Sequence, residues 1–78
     1  MINLRHAVKH ARSGDWAKAH EMAQADDSML GFWLHGILHI QEGDLANAGY
    51  WYAKAGRNFV LRGSVDDELG RLEAELFD

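Results

Sequence analysis

The sequence predicts an all-α fold of about five helices, arranged as two stacked helical hairpins followed by a closing helix. Two Gly-Asp pairs can each end one helix and begin the next, and apolar residues recur at helical spacing along most of the chain. No segment shows the period-two alternation that is typical of a strand. The 78 residues include no proline, so no helix need be interrupted by one. A chain of this length supports one core, and we expect a single domain over residues 1–78.

The first hairpin is predicted within about residues 2–26. Gly14 can adopt a positive φ and end the first helix, and the carboxylate of Asp15 can cap the second. Apolar residues spaced by three or four positions give each helix one face that can be buried. These predicted faces are Leu4, Val8 and Ala11 on the first helix, and Trp16, Ala19, Met22 and Ala23 on the second.

The second hairpin is predicted within about residues 28–57, with helices over about 29–42 and 44–57. Gly43 and Asp44 form its turn by the same stop-and-cap chemistry. The predicted core stripe of the third helix is Leu30, Trp33, Ile37 and Ile40.

A closing helix is predicted over about residues 64–77, with Ser64 as its N-cap. Its apolar residues are spaced by four, three and four positions. They are Val65, Leu69, Leu72 and Leu76. The acidic run 66–68 lies in the first turn, where negative charge suits the positive end of the helix dipole. Residues 59–61 either extend the fourth helix or dock as a loop.

The chain matches itself when it is shifted by 29 positions. The identical pairs are His6 and His35, His10 and His39, Gly14 and Gly43, Asp15 and Asp44, Ala17 and Ala46, and Ala19 and Ala48. Six identities in so short a window indicate one helix-turn-helix unit used twice, with the two copies stacked to share a core.

The second unit resembles the tetratricopeptide repeat. The matching signature positions are Phe32, Gly36, Gly43, Asp44, Ala48, Tyr52 and Ala55. The resemblance implies a helical hairpin, but two features depart from that family. His35 and His39 stand where the repeat usually has leucine and tyrosine, and the 29-residue period is shorter than the usual period of about 34. Peptide binding therefore does not follow from the resemblance alone.

Residues 20–57 also resemble a family of small uncharacterised proteins. The family pattern runs AHxxAQ, then HxxxHxxEGD, then NAxYWYxxAG, and all three pieces occur here in that order. The resemblance supports the helical fold and implies no activity.

The five histidines suggest a metal site. His35 and His39 are four residues apart, as are His6 and His10, so each pair lies on one face of a helix. With His20 as a third ligand, His35 and His39 could hold zinc or another divalent transition metal. Carboxylate partners could come from Asp15, Glu21, Glu42 and Asp44. The sequence favours half-buried aromatic packing with a hydrogen-bonded ring over the metal site. A third interpretation is acid–base catalysis, for which no catalytic residue is assigned.

The aromatic run at residues 50–52 is a second candidate site. Consecutive helical residues point about 100° apart, so the three rings cannot all face one core. Tyr52 occupies a packing position, which leaves Tyr50 and Trp51 to bind a partner, with Asn47 holding the partner's backbone. Alternatively, the closing helix covers the rings and Asn47 bonds within its own turn.

Composition narrows the classes of function. The net charge is −4 and there is no cysteine, so disulfides and thiolate metal sites are excluded. Lysine and arginine are scattered, so we expect no nucleic-acid or membrane binding. No apolar run approaches transmembrane length and the N-terminus lacks the long apolar segment of a signal peptide, so we expect a cytoplasmic location. The sequence therefore predicts a protein-interaction or assembly module. Its partner is a protein, a peptide, or a second copy in a homodimer formed by the closing helix or Phe59–Leu61, with Phe77 adding apolar surface. The alternatives are a small histidine-dependent metal-binding protein or enzyme, and a purely structural helical domain.

Overall fold

A computed structural model describes residues 3–76, and within this range the chain forms five α-helices and no β-strand. The helices are α1 (Leu4–Arg12), α2 (Trp16–Gln24), α3 (Met29–Gln41), α4 (Leu45–Lys54) and α5 (Val65–Glu75). The predicted all-α fold is confirmed. None of these helices has both the length and the apolar character needed to cross a membrane. Phe77, which was expected to add apolar surface, lies outside the described residues.

The two Gly-Asp turns have the same geometry. Gly14 has a φ of +87° and Gly43 a φ of +86°. Asp15 and Asp44 each accept a hydrogen bond from the backbone N–H three residues further on, at 3.2 Å in both turns. Each also donates its own N–H to the carbonyl five residues before it, at 2.9 Å in both turns. The internal repeat in the sequence is therefore a repeat of one turn in space.

A third glycine turn ends α4 earlier than the sequence predicts. The prediction carried this helix to about Arg57, but it ends at Lys54, and Gly56 follows with a φ of +71°. The chain after Gly56 forms a loop rather than more helix. Phe59 anchors the loop, because its ring lies edge-to-face with that of Tyr52 at a centroid distance of 5.3 Å.

α3 is the central helix, since it packs against each of the other four. This explains why both of its sides are buried, whereas the sequence predicts one apolar stripe. Trp33 and Ile37 from that stripe are buried, and Leu30 and Ile40 pack partly buried at its ends. The buried residues of α3 are Gly31, Trp33, Leu34, His35, Gly36, Ile37, Leu38 and His39.

α5 closes the core within one chain. It packs against α3 and α1, and Leu69 and Leu72 are buried there. Arg12 of α1 reaches across to Glu73 of α5, with a nitrogen–oxygen distance of 2.7 Å. The apolar face of α5 is thus used inside the chain. Of the two surfaces named for a homodimer, residues 59–61 retain exposed large apolar side chains, whereas α5 as described, Val65–Glu75, has none.

Glu68 is the main departure from the sequence-based account of α5. Ser64 and Asp67 form a reciprocal capping box, as expected of a polar first turn. Glu68, in contrast, is only 4% exposed. Its carboxylate accepts hydrogen bonds from the Tyr52 hydroxyl at 2.7 Å and the Trp33 indole at 3.3 Å. One carboxylate therefore ties α3, α4 and α5 together.

The charge on Glu68 is stabilised by its neighbours. Burial alone would raise the pKa of this carboxyl, but hydrogen bonds from Tyr52, the Gly63 N–H, Trp33 and Arg71 outweigh burial and hold the pKa below its ordinary value. Burial and the hydrogen bond to Glu68 raise the pKa of Tyr52. The pair is thus a neutral phenol donating to an ionised carboxylate.

Candidate metal centre

The structure brings together the three histidines that the sequence singles out as metal ligands. His20 comes from α2, and His35 and His39 come from α3. The Nε2 atoms of His20 and His35 are 3.1 Å apart. One ring nitrogen from each of the three histidines lies within 4.8 Å of the others. The pair on α1 is not part of this cluster: His6 is exposed, and His10 pairs with Asp15.

The helix pairing explains why the three rings meet. The four-residue spacing on α3 places two rings on one face. Ala19 and Ala23 are buried on α2, and such small side chains let this helix approach α3 closely. The Trp16 indole then donates a hydrogen bond to the carbonyl of Leu38 at 2.7 Å. This bond between helices holds α2 in the position that brings His20 to the cluster.

Two indole rings hold two of the imidazoles. His20 stacks on Trp16 with a centroid distance of 4.6 Å and an interplanar angle of 11°. His35 stacks on Trp51 at 3.9 Å with the same angle. Stacking occupies ring faces and leaves the ring edges, which carry the nitrogens, for hydrogen bonding or metal binding.

The third imidazole is oriented by a carboxylate. Nδ1 of His39 lies 2.6 Å from Oε2 of Glu42, three residues further on. A proton on Nδ1 satisfies this contact, and Nε2 then carries a lone pair. Carboxylates commonly hold metal-binding histidines in this way, fixing the tautomer and raising ligand basicity.

Two imidazoles of the cluster, those of His35 and His20, disfavour protonation. Burial, followed by the nearby His20 and His39 rings, lowers the pKa of His35 to about 4. Burial and His39 also lower the pKa of His20, against a smaller opposing effect of Glu42. Both rings are therefore neutral at pH 7, which is the form that binds metals. His20 is half-buried while His35 and His39 are buried, so the cluster is most accessible from the α2 side.

The separation between the ring nitrogens of His20 and His35 suits a four-coordinate ion. Zinc–nitrogen bonds of about 2.0–2.1 Å at tetrahedral angles place two ligand atoms about 3.4 Å apart. The 3.1 Å separation between His20 and His35 is within a few tenths of an ångström of that value. A bound ion would replace the hydrogen bond that now links these two Nε2 atoms.

A second group of ligand atoms overlaps this cluster at His39. It consists of His39, Glu42 and Asp44, whose ligand atoms also lie within 4.8 Å of one another. Both carboxylates are exposed, and Asp44 already caps α4. The helix turn accounts for this group, so the three-histidine cluster is the stronger candidate.

The predicted partner-binding residues all lie on α4, where the rings of Tyr50 and Trp51 meet edge-to-face at a centroid distance of 5.2 Å. Tyr50 is 58% exposed, and α5 does not cover it because α5 packs on α3 and α1. Trp51 is half-buried against His35 and belongs to the histidine cluster. The side chain of Asn47 donates to Asp44 at 3.4 Å, which is the bond within the turn that was the alternative interpretation.

The sequence identified the three histidines of the cluster but not the residues that hold them in place. Glu42 was named only as one of four carboxylate partners, although its i, i+3 spacing to His39 was visible. Trp16 lies four residues before His20, so their stacking also has a local signal. Trp51 had no such signal, because its partner His35 is on another helix.

No protein-family model matches the sequence, and no curated protein or solved structure is detectably similar to the chain. The two family resemblances in the sequence therefore stay predictions, and the functional argument rests on the geometry of this chain.

Proposed function

We propose that this protein binds a divalent transition-metal ion, with zinc as the first choice, through His20, His35 and His39. The observation that carries the proposal is the convergence of three imidazoles from two helices, with one nitrogen of each within 4.8 Å of the others. All-imidazole donor sets suit zinc, copper, nickel and iron rather than magnesium or calcium.

The arrangement of the rings favours binding over packing alone. The stacked indoles and the Glu42 carboxylate hold the imidazoles before an ion arrives. A preorganised site loses less conformational entropy on binding. The His20 and His35 rings are also already neutral at pH 7, so binding an ion requires no net loss of a proton from these two rings.

Three protein ligands leave a fourth position for water or a substrate. This is the ligand count of catalytic zinc sites, in which the ion lowers the pKa of bound water to about 7. The half-buried position of His20 supports solvent access to that fourth position. The proposal is metal binding, and hydrolytic chemistry is the activity that such a site would support.

Calorimetric titration of zinc into untagged, chelator-treated protein tests the proposal. We expect one ion per chain. His20→Phe should abolish binding, since it retains an aromatic ring against Trp16 and removes the ligand nitrogen. Glu42→Gln should weaken binding by about 10–100-fold through the loss of ligand orientation.

The matched control is Glu21→Gln. Glu21 is an exposed acid next to His20 in sequence, but it pairs with Lys18 at 3.3 Å. This variant should bind zinc like the parent protein. The proposal is wrong if the parent protein binds zinc no more tightly than His20→Phe does.

A second candidate function is the interaction module that the sequence predicts. Among the described helices, α4 packs against α3 alone, so the other side of α4 is not covered by a helix. Tyr50 and Leu45 of α4 remain exposed. Exposed tyrosine is a frequent anchor in protein interfaces. Self-association through Val60 and Leu61, which are 84% and 75% exposed, is the homodimer version of this proposal.

Light scattering over a concentration series separates the versions of this second candidate. A mass that doubles with concentration, and that falls back in the double variant Val60→Ser, Leu61→Ser, supports the homodimer. A constant monomer mass excludes it and leaves α4 as the partner surface.

A further inference from the structure

A small cleft lies beside the loop that follows α4, away from the histidine cluster. Its volume is about 170 Å³, and it shares no lining residue with the candidate metal centre. The lining residues are Trp33, Arg57, Asn58, Leu61, Arg62, Glu68 and Arg71. Three of the chain's eight lysine and arginine residues thus meet at one cleft.

Two of the arginines are held by aromatic rings. The guanidinium carbon of Arg57 lies 3.5 Å from the centroid of Trp33, and its Nη2 donates to Glu75 at 3.4 Å. The guanidinium of Arg62 lies over the ring of Phe59 at 4.0 Å and donates to that residue's carbonyl at 3.0 Å. Cation–π contacts and hydrogen bonds therefore fix both groups where they line the cleft.

The third arginine neutralises the buried acid. Arg71 donates to Glu68 at 2.6 Å. The carboxylate of Glu68 also accepts from the Tyr52 hydroxyl and the Gly63 N–H, so donors already surround it. Glu75 pairs with Arg57 and Glu68 pairs with Arg71. Within residues 3–76 Arg62 has no carboxylate partner, so one positive charge at the cleft is not balanced by an ion pair.

We propose that this cleft binds the carboxylate or phosphate group of a small anion. Each guanidinium has five N–H donors in a planar fork that matches such groups. Within residues 3–76, Arg57, Arg62 and Arg71 each make one hydrogen bond to the protein, so most of their donors remain available to a ligand. The chain carries a net charge of −4, so attraction of an anion to this position comes from the local cluster and not from the whole surface.

NMR titration of isotope-labelled protein tests the inference. Inorganic phosphate and sodium acetate are added in separate series at constant ionic strength, with sodium chloride as the reference series. We expect saturable shifts in the Trp33 indole and the side-chain N–H signals of the three arginines, with a dissociation constant in the millimolar range. Saturation by phosphate alone or by acetate alone identifies the group that the cleft prefers.

Arg62→Gln should weaken binding by about tenfold, because a charged hydrogen-bond partner is lost. Arg62→Lys keeps the positive charge but loses the planar set of guanidinium donors, so it should weaken binding less than Arg62→Gln does. If Arg62→Gln does not fold, Arg62→Lys replaces it in this test. Arg12→Gln is the matched control, since Arg12 pairs with Glu73 and does not line the cleft. The inference is overturned if neither anion gives saturable shifts, if chloride gives the same shifts, or if the Arg62 variants bind like the parent.

Discussion

Replacing Gly36 with alanine should destabilise the protein, because α3 and α4 meet at this glycine. A Cβ at position 36 would lie 2.6 Å from Cδ1 and 2.9 Å from Cε1 of Tyr52, and 3.2 Å from the carbonyl oxygen of Ala48. The Tyr52 ring has little room to move away. It is fully buried, its hydroxyl is bound to Glu68, and its edge packs against Phe59.

The expected magnitude follows from two opposing effects. Overpacking a filled core costs roughly 1–3 kcal/mol, and more where the neighbours are fixed. Alanine is favoured over glycine inside a helix by about 1 kcal/mol. Because Tyr52 is held by Glu68 and Phe59, the upper part of the overpacking range, about 2–3 kcal/mol, applies here. After the gain from alanine we expect Gly36→Ala to lower the free energy of unfolding by about 1–2 kcal/mol. For a domain of this size, each kcal/mol lowers the melting temperature by roughly 4–8 °C.

Gly70→Ala is the matched control for this experiment. Gly70 also lies within a helix, but a Cβ there meets no atom within 4 Å. The same substitution should therefore stabilise the protein by about 0.5–1 kcal/mol. Thermal melts followed by far-UV circular dichroism measure both variants. If Gly36→Ala melts at or above the parent temperature, as Gly70→Ala should, the close approach of α4 to Gly36 is wrong.

Three further predictions concern the turn, the buried acid and pH. Gly43→Ala should lower the free energy of unfolding by about 1–2 kcal/mol, because it places an L-residue at a φ of +86°. Asp44→Ala should lower it by about 1 kcal/mol, because the N-cap of α4 is lost. Unchanged urea midpoints in both variants would contradict the proposed Gly-Asp turn. Tyr52→Phe should cost roughly 1–3 kcal/mol, because Glu68 loses a buried donor; a variant as stable as the parent would show that this hydrogen bond contributes nothing. In chelator-treated protein, the unfolded chain takes up a proton on His35 near its ordinary pKa, whereas the folded chain does so only near pH 4. Stability should therefore fall by roughly 2–3 kcal/mol as the pH drops from about 6.5 to 4, and an NMR titration of His35 with an ordinary midpoint would refute this explanation.

The sequence predicts well what local chemistry decides. Gly43 predicts the end of one helix because glycine tolerates a positive φ, and Asp44 predicts the start of the next because its carboxylate can act as an N-cap. The repeat extends the same prediction to Gly14 and Asp15. The histidine cluster could also be predicted from the sequence. His35 and His39 share a helix face by spacing alone, and a second helix joined by a short connection brings His20 to them.

The features that the sequence did not predict depend on contacts between residues that are far apart in the chain. Glu68 looks like an ordinary first-turn acid, and its burial depends on a phenol and an indole supplied by two other helices. The sequence left open whether Trp51 binds a partner or is covered by the closing helix; in the structure it is half-buried, and one face of its ring stacks on His35 of α3. The loop after Gly56 was open to two interpretations, and packing of Phe59 against Tyr52 selects the docked loop.

The most direct test of the proposed metal centre is the visible absorption spectrum of cobalt(II) added to the untagged, chelator-treated chain. Cobalt(II) takes the place of zinc at nitrogen sites, and four-coordinate cobalt absorbs far more strongly than the hydrated ion. We predict intense bands that saturate at one ion per chain and that are absent from His20→Phe. A spectrum that stays that of hydrated cobalt as the ion is added would show that His20, His35 and His39 pack together without binding a metal.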